Sequence, residues 1–129
     1  MYVDASAMVA ILIGEEDADA LTTRLADADE RISSVVSAFE AVLAMAGKLA
    51  DRSAAAGAVR DFLDLADIRL RSVGGELLED LAEAHVRFGK GSGHPAQLNM
   101  GDCFSYGVAK AQGVSLLYKG NDFSRTDLA

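Results

Sequence analysis

Four acidic residues stand where short apolar runs give way to amphipathic ones: Asp4, Glu40, Asp102 and Asp122. Asp4 closes the run Met1-Tyr2-Val3, and Asp122 lies just beyond Ser115 to Tyr118. Glu40 follows Ser37 by three residues and Asp102 follows Asn99 by three. Each has a purely local reading. Asp4 can cap a helix and Asp122 can serve a turn; Ser37 with Glu40, and Asn99 with Asp102, have capping-box spacing. Local chemistry leaves unexplained why all four sit at strand-to-helix junctions, which a parallel sheet gathers along one edge. Four carboxylates crowded there repel one another if dry and unpaired, which raises some of their pKa values. A divalent cation relieves the repulsion. Mg2+ takes oxygen ligands, keeps several waters and needs only one or two direct carboxylates, while the others hold those waters. Such an ion could polarise a phosphodiester and acidify a bound water towards neutral pH. Zinc is not indicated, because His85 and His94 are far apart and Cys103 is the single cysteine.

The elements that must position these acids can be read in order. Met1 to Val3 is a buried strand, and Ala5 to Ile13 a buried helix stopped by Gly14. Glu15, Glu16 and Asp17 open a second helix with Ala18, Leu21, Leu25 and Ala28 as its apolar face. Arg31 to Val36 is the next strand. Ser37 then caps a helix to about Ala50 that uses Phe39, Val42, Leu43 and Ala46. A helix from Ser53 to Ala66 carries Val59, Phe62, Leu63 and Leu65, and Ile68 to Val73 alternates like an edge strand. After Gly74-Gly75, the segment Glu76 to Phe88 is an amphipathic helix on Leu77, Leu78, Leu81, Ala84 and Phe88. The loop Gly89 to Gln97 holds three glycines and the only proline, and reads as mobile and functional. The Asn99 helix, the Ser115 strand and a tail at Thr126-Asp127-Leu128 that could add an edge strand complete the chain. Strands separated by helices predict a parallel sheet covered on both faces.

With 129 residues, half of them hydrophobic, the chain is expected to form one packed domain over residues 1–129. No apolar run reaches the roughly 18 residues of a membrane span, and the acid at position 4 argues against a signal peptide. The single cysteine suggests reducing cytoplasm. A net charge of −8 opposes indiscriminate nucleic-acid binding, but not acids gathered at a metal site.

Val3-Asp4-Ala5-Ser6-Ala7, Ser37 to Glu40, Leu98 to Phe104 and Lys119 to Phe123 together resemble a PIN domain, and more narrowly the VapC toxin ribonucleases of bacterial type II toxin–antitoxin pairs. The segment Gly93-His94-Pro95-Ala96-Gln97-Leu98-Asn99-Met100-Gly101-Asp102-Cys103 is similar to one large VapC subgroup. The resemblance spans essentially the whole chain. It implies a three-layer α/β/α fold around a central, mainly parallel sheet of four to five strands. It further implies a Mg2+- or Mn2+-dependent endoribonuclease with Asp4, Glu40 and Asp102 as central acids and Asp122 as a more variable fourth. Ser6 and Asn99 match positions where the family keeps polar residues beside the metal. A homodimer, neutralisation by a cognate VapB antitoxin, and further assembly with that antitoxin are also implied.

Other residues have plainer expectations. Glu76, Glu79, Asp80 and Glu83 with Arg87 form a solvated helix face, and Cys103 a small core residue. Lys119 is the best candidate for an RNA phosphate path, with Lys90, His94 and Lys110 behind it. Met8, Leu12, Leu43 and Met45 could line a groove for an antitoxin helix. Two other functions compete: a non-catalytic acidic module holding a basic partner peptide, and a phosphoacceptor receiver domain. The second fits poorly, because Ala5 and Ser6 follow Asp4 where paired acids are wanted.

Overall fold

The computed structural model describes residues 1–129. Strand β1 is Tyr2–Val3, β2 Ile32–Ser34, β3 Arg69–Arg71 and β4 Leu116–Leu117. All pair parallel in the order β3-β2-β1-β4, so the sheet has four strands, at the lower bound of the expectation. Helices α1 (Ala5–Ile13), α2 (Ala18–Ala26), α3 (Val35–Ala46), α4 (Ala54–Leu65), α5 (Leu78–Phe88) and α6 (Met100–Gln112) complete a three-layer α/β/α domain. The alternation of the strands separates two cores. Tyr2, Ile32 and Leu116 are in register across one face and pack with α5 and α6 residues such as Phe88 and Tyr106. Val3 and Leu117 point to the other face, among Ala7, Met8, Ala41, Met45 and Val59. Because β1 is central, Asp4 leaves the sheet in its middle.

Local departures from the sequence expectations have local causes. The cap of α3 is Ser34, whose hydroxyl accepts from the Ser37 backbone, so the helix starts two residues before Ser37 and ends at Ala46. This rotates its buried stripe to Ser37, Ala38, Ala41 and Met45, and leaves Val35, Phe39 and Leu43 at 62%, 58% and 54% exposure. Met8 and Met45 are consequently core residues and cannot line a partner groove, whereas Leu43 is open. The same half-turn accuracy applies in α4 and α5, where Leu65 and Leu78 face solvent. A 3-10 turn at Gly75–Leu77 precedes α5. Thr126-Asp127-Leu128 adds no strand: the Asp127 carboxylate is held instead by Tyr106 Oη at 2.7 Å and Lys110 Nζ at 2.6 Å. Those bonds draw Lys110 away from any phosphate path, and burial together with the Asp127 bond pushes the Tyr106 phenol up to about 12.

The loop after α5 is tied at both ends: Lys90 N–H donates to the Leu98 carbonyl and Leu98 N–H to Phe88, each at 2.9 Å. His94 is part of that tie, with Nδ1 accepting from Ala96 N–H at 3.1 Å and its ring edge-on to Phe88. The loop therefore delivers Asn99 to the start of α6 in a fixed register. Glu76 in the 3-10 turn and Glu79 and Glu83 on α5 are exposed as expected, and Arg87 pairs with Glu83. No helix is long and apolar enough to cross a membrane.

Candidate active site

Asp4 ends β1 and is the N-cap of α1. Its Oδ2 accepts from Ser6 N–H at 2.9 Å and from Ser6 Oγ at 2.5 Å. Its Oδ1 accepts from Ser105 Oγ at 2.6 Å, so a carboxylate only 5% exposed has both oxygens bonded. Asp102 forms the capping box with Asn99: Asp102 N–H donates to Asn99 Oδ1 at 2.9 Å and Asn99 N–H to Asp102 Oδ2 at 3.0 Å. For these two acids the local reading holds, and it coexists with a shared location. For Glu40 it fails. Since Ser34 caps α3, Glu40 lies in the second turn, where no capping box can use it. Its carboxyl group instead rests over Gly101 in the first turn of α6, where a β-carbon would collide with it.

Electrostatics shows the same grouping. Burial, then the charges of Asp4 and Asp102, raise Glu40 to about 7. Burial also raises Asp102 to about 6, with Asp122 and Asp4 adding to the push and the Asn99 backbone bond opposing it. Asp4, Glu40 and Asp102 thus interact mutually, and Asp122 reaches the group through Asp102. Asp122 is exposed, but its neighbour Phe123 is 1% exposed and edge-on to Tyr118, which anchors the turn that carries it.

These shifts have a consequence for folding. Both acids hold their protons more tightly in the folded chain than at their ordinary values of 4.5 and 3.8. Their stabilising contribution is therefore complete below about pH 4 and is lost as pH rises towards 7. In chelator-treated protein, denaturant melts between pH 4.5 and 7.5 are expected to show that decline, and Glu40→Gln to flatten it. A decline as steep in Glu40→Gln as in the parent would contradict the assignment.

The donor set is made of carboxylate and hydroxyl oxygens, which suits Mg2+ or Mn2+ and not zinc. No three acidic, histidine or cysteine side chains are arranged to grip one ion directly. An ion that keeps most of its waters does not require such a grip, because one or two carboxylates can bind it and the rest can bind its waters. The residues present fit a hydrated divalent ion on that basis.

Ser6 joins two sides of the site. Besides its bonds to Asp4, its Oγ accepts from Lys119 N–H at 3.0 Å, tying the segment after β4 to α1. The Lys119 ammonium is paired with Glu15 and Asp17, so its charge is already compensated and it is a weaker candidate for contacting phosphate. A cleft of about 480 Å³ opens beside the acids, with Ser6, Glu40 and Lys119 on its walls. A second, largely apolar cleft of about 460 Å³ begins at Asn99 and runs between α5 and α6; exposed Lys90 stands at its rim. Three positions make contacts that the sequence does not announce: Gly101, beneath Glu40, and Ser105 and Ser37, behind Asp4. A detectable signal existed for Ser105, a small polar residue inside the otherwise apolar stripe Cys103, Tyr106 and Ala109.

Comparison with known proteins shows the family. A family model described as PIN domain matches residues 1–128. A VapC ribonuclease of Rhizobium meliloti is 43% identical, with 98% of each chain covered. A VapC ribonuclease of Mycobacterium bovis is 37% identical over 99% of this chain and 96% of its own. A ribonuclease VapC of Mycolicibacterium smegmatis is 38% identical over 100% of this chain and 98% of its own.

Proposed function

Because this chain belongs to the PIN-domain family, and to its VapC group, we propose that it is a toxin endoribonuclease that cleaves RNA with Mg2+ or Mn2+ and is neutralised by a cognate VapB antitoxin. One observation carries the reading furthest. Acids from four separate stretches of sequence lie within electrostatic reach of one another at the carboxyl edge of a parallel sheet, and two of them are pushed up towards neutral pH. A bound divalent ion would supply charge for the phosphate and a more acidic water. Asp4, Glu40, Asp102 and Asp122 would hold it, directly or through its waters. Asp4 is held rigidly by Ser6 and Ser105. Asn99 keeps Asp102 in its rotamer. Glu40, whose carboxyl group rests over Gly101 in reach of the Asp4 and Asp102 charges, would orient the ion's bound water towards the phosphate. The cleft lined by Glu40 and the one lined by Asn99 offer paths for RNA, with Lys90 lining the second.

The protein is taken to act in the cytoplasm and as a homodimer that assembles further with antitoxin. Val35, Phe39 and Leu43 are the apolar side chains that α3 leaves open to a partner. The test is direct. Purified chain is expected to cut RNA in Mn2+ or Mg2+, to stop in EDTA, to recover on adding back either ion, and to be silenced by antitoxin. If it binds antitoxin tightly but cuts no RNA at any Mg2+ or Mn2+ concentration, the acids serve only to hold a basic peptide.

A further inference from the structure

Behind Asp4 lies a row of four hydroxyl groups on fully buried residues. Ser105 Oγ is 2.6 Å from Asp4 Oδ1, Ser37 Oγ is 3.0 Å from Ser105 Oγ, Tyr2 Oη is 2.7 Å from Ser37 Oγ, and Ser34 Oγ is 2.8 Å from Tyr2 Oη. Tyr2, Ser34, Ser37 and Ser105 are each at 0% exposure, so none can exchange these bonds for bonds to bulk water.

The direction of the row follows from counting protons. An ionised carboxylate only accepts, so Ser105 donates to Asp4. A hydroxyl has one proton, so Ser105 must accept from Ser37, Ser37 from Tyr2, and Tyr2 from Ser34. Ser34 Oγ in turn accepts from Ser37 N–H at 3.5 Å. All four O–H dipoles therefore point the same way, towards Asp4 Oδ1, and each polarises the next.

The row also links the elements that bear the acids. Tyr2 is on β1, two residues before Asp4. Ser37 is on α3, one turn before Glu40, and Ser105 is on α6, one turn after Asp102. Residues three apart on a helix share a face, so one chain of hydrogen bonds ties β1, α3 and α6 together directly beneath their carboxylates.

We propose that Ser105, backed by Ser37, Tyr2 and Ser34, is a positioning residue for the divalent ion: the row fixes the Asp4 carboxylate and the spacing of the three acid-bearing elements. The inference rests on the function proposed above. Outer groups that orient ligands typically alter metal affinity by roughly 10- to 100-fold when removed.

Free Mn2+ followed by EPR during titration of the full chain, with thermal melting in parallel, tests it. Ser105→Ala is expected to raise the Mn2+ dissociation constant by about 10- to 100-fold. Tyr2→Phe, which removes one oxygen and touches no acid, should raise it less and in the same direction. Ser105→Thr, which keeps the hydroxyl, should restore most of the affinity. Cleavage by Ser105→Ala and Tyr2→Phe should recover towards the parent rate at saturating Mn2+. Parental Mn2+ affinity in both Ser105→Ala and Tyr2→Phe, with only the melting temperature lowered, would overturn the proposal while leaving the function standing. Failure of the parent protein itself to bind Mn2+ would overturn both.

Discussion

Replacing Asp102 by asparagine is expected to leave a folded protein that no longer cuts RNA. The side chain keeps its shape, and the asparagine carbonyl can still accept from Asn99 N–H, so the start of α6 is preserved. What is lost is the charge, at the acid that interacts with Asp4, Glu40 and Asp122. An ion and its waters held by such a charge contribute several kcal/mol to the transition state. The expected loss in turnover is therefore about a thousandfold or more, equivalent to about 4 kcal/mol of barrier. Stability moves the other way. With the raised acid gone, metal-free Asp102→Asn should melt above the parent at pH 7 and should lose this advantage below about pH 4, where the parent is fully protonated. Quantified cleavage of a labelled RNA, with melts at both pH values, gives the answer. Cleavage within tenfold of the parent would remove Asp102 from the mechanism.

Gly101→Ala carries the next largest effect, and it separates stability from function. Gly101 is in the first turn of α6 and its backbone is not left-handed, so alanine is locally welcome and adds up to about 1 kcal/mol of helix propensity. The added β-carbon would strike the Glu40 carboxyl group. That group is the end of a flexible side chain, so it swings aside at small cost to folding and leaves its place beside Asp4 and Asp102. The expected protein is as stable as the parent or more so, yet binds Mn2+ roughly 10- to 100-fold more weakly. Calorimetric titration with Mn2+ and a melting curve on one preparation read both halves. Unchanged affinity would show that Glu40 is not needed where the structure puts it.

How much of this was legible in the sequence differs from element to element. Helix α1 was read to the residue, because Asp4 caps it and Gly14, at φ +68°, ends it by a backbone conformation glycine adopts freely. The Asn99–Asp102 capping box was legible because its chemistry is local. Helix α3 begins three residues earlier than a Ser37 cap would place it, since both Ser34 and Ser37 are competent caps and only the pairing of β2 with β1 and β3 shows where the strand stops. That shift moved Phe39 and Leu43 from the core to the surface. The strands are two or three residues long, too short to display the alternation that defines them in a sequence. The hydroxyl row was illegible for another reason: Tyr2, Ser37 and Ser105 become neighbours only through the crossing of β1, α3 and α6, and no spacing rule connects residues 68 positions apart.

Strand β3 has one further property. It ends the sheet, with Arg69, Leu70 and Arg71 all open to solvent and Leu70 47% exposed. An uncovered strand bearing a leucine is the place where a sheet would recruit a strand from another molecule and grow into insoluble material. The Arg69 guanidinium beside that leucine makes such recruitment costly, since a second copy would bring the same cation face to face, whereas Arg71 is already paired with Glu30. A substitution at that border, farthest from β4, would change the tendency to self-associate without touching the acids.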